Sequence, residues 1–127
     1  MSEINRIYYN KLVRDHIPAK IEAKKQQCGY RKITDVQELQ QELFKKIQEE
    51  AASLAMVSTK EEFLEEYSDL MVVFETIISQ LEITKEEILT ARKQNLLNKG
   101  AYKHGYYLEW SGDVGYESKD SPQGIPL

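Results

Sequence analysis

The chain has 127 residues, a length that fits one domain with a real hydrophobic core and is too short for two independent domains. Its 17 basic and 21 acidic residues give a formal net charge of −4, which argues against a nonspecific nucleic-acid binder. Cys28 is the only cysteine, so the sequence excludes an intrachain disulfide framework and a cysteine-built zinc site.

Targeting signals are not evident in the sequence. The first six residues contain no apolar signal core, and no run of about 18 apolar residues could span a bilayer. We therefore expect a cytoplasmic protein that has no membrane partner and binds no nucleic-acid polymer. A small phosphorylated ligand needs only a local basic cluster and is compatible with the acidic charge.

Hydrophobic periodicity predicts an all-α fold, an antiparallel bundle of about four helices within residues 1–110. Asp15 is the expected N-cap of a short first helix, which Gly29 would end. Thr34 and Asp35 are alternative N-caps of the second helix, which should run to about Val57.

Two further capping boxes predict the starts of the third and fourth helices. They are formed by Thr59 with Glu62 and by Thr84 with Glu87. The fourth helix should end before Gly100. Residues 106–110 are then expected to be a short extended segment that packs on the helices, and residues 111–127 a flexible or loosely docked tail.

The third predicted helix is apolar over a wide arc. One apolar row contains Phe63, Tyr67, Leu70, Phe74, Ile77 and Leu81, and the adjacent row contains Leu64, Met71 and Ile78. The other helices of so small a domain can cover only part of that arc. We therefore predict a homodimer or a dimer of dimers, with an interface on the order of 2,000 Å² or more.

Glu50 occupies an apolar position of the second predicted helix. Leu43, Ile47 and Leu54 are spaced so that Glu50 falls where the helical pattern requires a core residue. Burying an unpaired carboxylate costs roughly several kcal/mol, so a cation should lie beside it.

Other carboxylates lie on the same flanks. At about 100° per residue, Glu49 and Glu50 share a flank of the second helix, while Glu66 and Asp69 share a flank of the third. If these flanks face each other, their oxygen ligands suit Mg²⁺ or Mn²⁺ better than zinc. The alternative is an ordinary solvated face, as glutamate-rich helices often have.

Three segments carry a family resemblance: NKLVRDHIP at 10–18, KIQEE at 46–50 and EEYSDL at 65–70. They are similar to the all-α nucleotide pyrophosphohydrolase superfamily, and most of all to its MazG-like, phosphoribosyl-ATP pyrophosphohydrolase-like group. The family pattern has two adjacent glutamates and a third glutamate three positions on. After a hairpin it has a glutamate and an aspartate three positions apart. The resemblance covers residues 9 to about 108.

The resemblance implies Mg²⁺-dependent cleavage, with Mn²⁺ as an alternative ion, between the α and β phosphates of a nucleoside triphosphate or a phosphoribosyl-nucleotide. Pyrophosphate would be released. Glu49, Glu50, Glu66 and Asp69 would be the metal-binding positions. Glu49 and Glu50 are also the candidates for orienting the metal-activated water or accepting its proton.

Two departures from the family pattern favour a different function. Ser53 stands where the family has its third glutamate, and Asn95 stands where related chains often carry a lysine. The competing hypothesis is a catalytically inactive member that binds a nucleotide or a protein partner. The four retained acidic positions favour the enzyme.

Two basic groups are candidates for substrate binding. Lys11 and Arg14 match the family opening and could hold phosphates, although Arg14 could instead form a salt bridge to a carboxylate such as Asp15 or Glu66. Arg92 and Lys99 lie towards the end of the fourth predicted helix. There they could bind substrate or interact favourably with the helix C-terminus.

Overall fold

The computed structural model describes residues 5–113, and that part of the chain contains four α-helices. They are α1 (Ile17–Ala23), α2 (Val36–Ala55), α3 (Lys60–Gln80) and α4 (Lys85–Lys99). Residues 5–113 contain no β-strand, so the all-α prediction is confirmed. None of the helices described is both long and apolar enough to cross a membrane.

The contacts divide the chain into two units, Met1–Ile88 and Leu89–Leu127. The first unit contains α1, α2, α3 and the start of α4, and the second contains the rest of α4. Most of the predicted tail, residues 114–127, lies outside the described residues.

Capping fixes the ends of α2 and α3, which form a helical hairpin. Asp35 is the N-cap of α2, and its side chain accepts a hydrogen bond from the Gln37 N–H at 3.3 Å. Thr59 Oγ1 accepts one from the Glu62 N–H at 3.1 Å. The Glu62 carboxylate accepts in turn from the Ser58 N–H at 3.2 Å. The predicted cap of α3 is therefore confirmed, with the return bond one residue earlier than in a standard capping box.

A small apolar core lies between α2 and α3, which pack against each other. Its most buried side chains are those of Leu43, Val73 and Ile77, at 4–7% exposure. Leu12, Leu39 and Ile47 pack around them. Leu43, Ile47 and Ile77 belong to the predicted stripes, whereas Val73 lies outside both rows predicted for α3.

The outer part of the predicted apolar arc of α3 remains accessible. Phe63, Leu64, Tyr67 and Leu81 are 45–51% exposed, and Phe44 on α2 is 49% exposed. Half-exposed apolar side chains of this size along one hairpin are typical of surfaces that bind another protein. This surface is the one that the predicted homo-oligomer would use.

The first helix differs from the prediction at both ends. Its N-cap is His16, without a side-chain capping bond, in place of Asp15. The helix ends more than one turn before Gly29, because Lys25 adopts a left-handed conformation with φ of +59°. The Lys25 N–H donates to the Glu22 carbonyl at 2.9 Å, so backbone hydrogen bonds close this end without a glycine.

The predicted limits of α4 are confirmed. The Glu87 N–H donates to Thr84 Oγ1 at 3.1 Å, and the Thr84 N–H donates to the Glu87 carboxylate at 3.0 Å. Gly100, with φ of +76°, follows the last residue of the helix. The prediction that residues 106–110 pack on the helices is wrong, because Tyr106 and Trp110 are 90% and 80% exposed.

Candidate metal centre

Three carboxylates meet on the α2–α3 hairpin. Glu50 of α2 and Glu66 and Asp69 of α3 each place one oxygen within 4.8 Å of the other two. The i,i+3 spacing puts Glu66 and Asp69 on one flank of α3, and the hairpin brings Glu50 opposite them. All three side chains are partly buried, and together they could hold a metal ion.

The chemistry of this donor set fits Mg²⁺ or Mn²⁺. Carboxylate oxygens are hard ligands, and waters or substrate phosphates would complete the shell of such an ion. Among the residues that the structure describes, this is the one group of three or more His, Cys, Asp and Glu side chains with suitable spacing. It contains neither thiolate nor imidazole, the ligands most typical of zinc.

The pKa of Glu66 reflects its partial burial and the neighbouring carboxylates. Partial burial, and then the charges of Asp69 and Glu50, raise the pKa of Glu66 above its ordinary value. A divalent cation between the three groups would reverse this effect, because it favours the ionised form of each carboxyl.

Glu49, also predicted as a metal ligand, lies outside this group. Its carboxylate forms ion pairs with Lys11 Nζ at 2.9 Å and with Lys46 Nζ at 3.2 Å. The hydrogen bond from Lys11 is the main reason that the pKa of Glu49 is lowered, with a further contribution from Lys46. A metal-binding role for Glu49 stays a prediction.

Lys46 is a site residue that the sequence prediction omitted. Its Nζ lies 3.2 Å from Glu49 and 3.6 Å from Glu50, and its side chain is only 13% exposed. It supplies the cation that the apolar position of Glu50 requires. The i,i+4 spacing of Lys46 and Glu50 is the sequence signal that could have identified it.

The segment before α1 brings both predicted phosphate-binding residues to the carboxylates. Lys11 pairs with Glu49 on α2, and Arg14 Nη1 lies 3.5 Å from the Asp69 carboxylate on α3. Between them, Leu12 packs against the core. The salt bridge considered for Arg14 thus exists, with Asp69 as the partner in place of Glu66.

An open depression of about 580 Å³ adjoins the carboxylates on the side of the α2–α3 connection. It is lined by Ala52, Ser53, Met56, Val57, Glu62, Glu65 and Glu66. Ser53 lies about one helical turn from Glu50, so a hydroxyl lines this space at the position where the sequence resemblance would place a carboxylate. The depression offers room beside the metal centre for the non-phosphate part of a ligand.

Arg92 and Lys99, the other predicted substrate-binding residues, lie on α4 within the second unit. Both are exposed, and their role in binding stays a prediction.

Comparisons of the chain with protein-family models, with curated proteins and with solved structures find no match.

Proposed function

We propose that the chain is a metal-dependent nucleotide pyrophosphohydrolase of the MazG-like type, acting in the cytoplasm. It would cleave the α–β phosphoanhydride of a nucleoside triphosphate or a phosphoribosyl-nucleotide and release pyrophosphate. The observation that carries this proposal is the meeting of Glu50, Glu66 and Asp69 beside Lys11 and Arg14. The site thus combines ligands for a divalent cation with donors for phosphate oxygens. The resemblance of three sequence segments to the MazG-like group supports the same function.

The residues of the site divide into three roles. Glu50, Glu66 and Asp69 would hold Mg²⁺ or Mn²⁺, which when bound polarises a phosphoryl oxygen and acidifies a water. Glu49 or Glu50 would orient the attacking water or accept its proton. Lys11 and Arg14 would bind phosphate oxygens.

Pyrophosphate release from a panel of nucleotides, with and without Mg²⁺, tests this function. We expect release that requires the metal, is lost in Glu50→Gln and persists in Glu42→Gln. Glu42 is a matched control because it lies on the same helix, outside the three-carboxylate group, and pairs with Lys45 at 3.0 Å. No release from any nucleotide with Mg²⁺ present would contradict the proposal.

A catalytically inactive nucleotide-binding module is the second candidate, favoured by the serine at position 53. Such a protein would bind a metal–nucleotide complex in calorimetry without releasing pyrophosphate. Ser53 lines the depression beside Glu66. The absence of a carboxylate at this position is what favours the inactive module over the enzyme.

We infer that a second copy of the chain covers the half-exposed apolar surface formed by Phe44, Phe63, Leu64, Tyr67 and Leu81. The core within the first unit has few fully buried side chains, whereas obligate homodimers bury on the order of 2,000 Å² or more of largely apolar surface. A self-paired hairpin face would supply an interface of this kind through twofold symmetry.

A further inference from the structure

We propose that Lys11 and Arg14 are exchangeable cations. In the metal-free protein they neutralise Glu49 and Asp69, and they transfer to phosphate oxygens when a metal–polyphosphate ligand binds. This inference rests on the proposed function, because it requires Glu50, Glu66 and Asp69 to bind a divalent ion.

The backbone before α1 holds the two cations in place on either side of an anchor. Leu12 packs against the core, and its neighbours reach Glu49 on one helix and Asp69 on the other. Asn10, immediately before them, adopts a left-handed conformation with φ of +47°, which asparagine tolerates better than most residues. The anchor keeps both cations near the carboxylates whichever anion they contact.

The side chains of Lys11 and Arg14 are more accessible to water than that of Lys46, the third cation of the site. The side chains of Lys11 and Arg14 are 43% and 56% exposed, whereas that of Lys46 is 13% exposed. Ion pairs that are open to water contribute little, so breaking them for a stronger partner is easy. Moving Lys46 would instead leave partly buried carboxylates without a counter-ion. Lys46 is therefore the permanent counter-ion of the site.

Arg14 and a metal ion compete for the same carboxylate. Both stabilise ionised Asp69, so removing the guanidinium makes that ligand more available to the metal. The same change removes a donor that can grip a phosphate with two parallel hydrogen bonds. The exchange therefore predicts effects of opposite sign on the binding of metal alone and of metal with polyphosphate.

Calorimetric titration of Arg14→Gln with Mn²⁺, and then with inorganic tripolyphosphate in saturating Mn²⁺, measures both effects. We expect affinity for Mn²⁺ to rise about two- to five-fold, the range that corresponds to loss of an exposed ion pair. Affinity for tripolyphosphate should fall about ten-fold or more, as for loss of a charge-assisted hydrogen bond. Lys11→Gln should lower tripolyphosphate affinity similarly, with a smaller gain for Mn²⁺, because Glu49 lies outside the three-carboxylate group.

Arg31→Gln is the matched control for the change in net charge. Arg31 is also exposed, at 69%, and pairs with Glu38 through two hydrogen bonds of 2.8 and 2.9 Å. Glu38 precedes Glu50 by twelve residues, about 18 Å along the axis of α2. We expect this variant to bind Mn²⁺ and tripolyphosphate as the parent does.

The outcomes separate this inference from the proposed function. If Arg14→Gln binds Mn²⁺ no more tightly than Arg31→Gln, or if tripolyphosphate affinity does not change, the exchange is refuted while the metal site stands. If the parent chain binds no Mn²⁺, both the exchange and the proposed function fail. A gain for the metal together with a loss for tripolyphosphate in Arg14→Gln, both absent from Arg31→Gln, supports the exchange, because an ion pair that stayed closed on ligand binding would not lower tripolyphosphate affinity.

Discussion

In the metal-free protein, the Glu50 carboxylate is repelled by the carboxylates of Glu66 and Asp69 and attracted by the ammonium group of Lys46. Glu50→Gln removes both the repulsion and the attraction. One of its oxygens lies within 4.8 Å of oxygens of Glu66 and Asp69, and another contact joins it to Lys46 Nζ at 3.6 Å. At an effective dielectric constant of about 20, a like-charge contact at the 4.8 Å limit costs about 3.5 kcal/mol, and the Lys46 contact contributes about 4.6 kcal/mol. The difference is a net repulsion of about 2 kcal/mol. Asp69 is 40% exposed and is shielded by Arg14, which reduces the net repulsion to about 1 kcal/mol.

We therefore expect Glu50→Gln to raise the stability of the metal-free protein. The variant should also lose the stabilisation that a bound metal gives the parent. In a domain of this size, about 1 kcal/mol corresponds to a rise of about 3–5 °C in melting temperature. With Mg²⁺ at about 100 times its dissociation constant, the parent should gain about 2.7 kcal/mol, whereas the variant should gain nothing. The order of the two melting temperatures should therefore reverse on adding Mg²⁺.

Thermal unfolding followed by circular dichroism, with and without Mg²⁺, tests the reversal, and calorimetric titration measures the metal affinity directly. Glu42→Gln, which makes the same charge change on α2, should respond to Mg²⁺ as the parent does. Unchanged metal affinity in Glu50→Gln would refute the site assignment. A lower melting temperature of the metal-free variant would show instead that the Lys46 contact outweighs the repulsion.

Three further predictions follow from the same hairpin. Ser53→Glu should tighten Mg²⁺ binding or raise turnover, because it restores an anion one turn from Glu49 and Glu50; a weaker or inert variant would show that the site is built around the hydroxyl. Because the pKa of Glu66 is raised, its ionisation destabilises the metal-free fold as pH rises, and Mg²⁺ affinity should increase through the same range. Titrations in two buffers of different ionisation enthalpy should therefore detect proton release on metal binding, and its absence would contradict the argument. A second copy on the half-exposed apolar surface predicts a dimer by light scattering and a melting temperature that rises with protein concentration. A monomer with a constant melting temperature would refute this prediction.

The starts of α3 and α4 could be predicted from the sequence because their capping is local, whereas the predicted cap of α1 was wrong. Thr59 and Thr84 accept hydrogen bonds from N–H groups three residues on, and a short sequence window contains both partners. The end of α1 could not be predicted in this way. It depends on a left-handed Lys25, and lysine gives no compositional sign of that conformation. Val73 was also missed, because which flank of a widely apolar helix is buried depends on where α2 packs against it.

The sequence predicted on which flank of each helix the carboxylates of the candidate site lie. Helical geometry placed Glu50 on one flank of α2 and Glu66 and Asp69 on one flank of α3, and the structure brings the three together. Helical geometry could not show that Glu49 would lie outside the group, because that position goes with its ion pairs to Lys11 and Lys46 in the folded chain. The Lys11–Glu49 contact joins residues 38 positions apart, and only the path of the folded chain determines it.

Charge balance would link metal binding to phosphate binding under the proposed function. When ionised, four carboxylates face three cations, so the metal-free group has one net negative charge. The carboxylates are those of Glu49, Glu50, Glu66 and Asp69, and the cations are Lys11, Arg14 and Lys46. A polyphosphate should therefore be repelled until a divalent ion has bound and has made the group positive by one charge. At that point Lys11 and Arg14 no longer need to neutralise Glu49 and Asp69, and the anion that they can reach is the phosphate chain. The arrangement thus favours binding of the metal before the nucleotide, or of both as one complex, over binding of the free nucleotide.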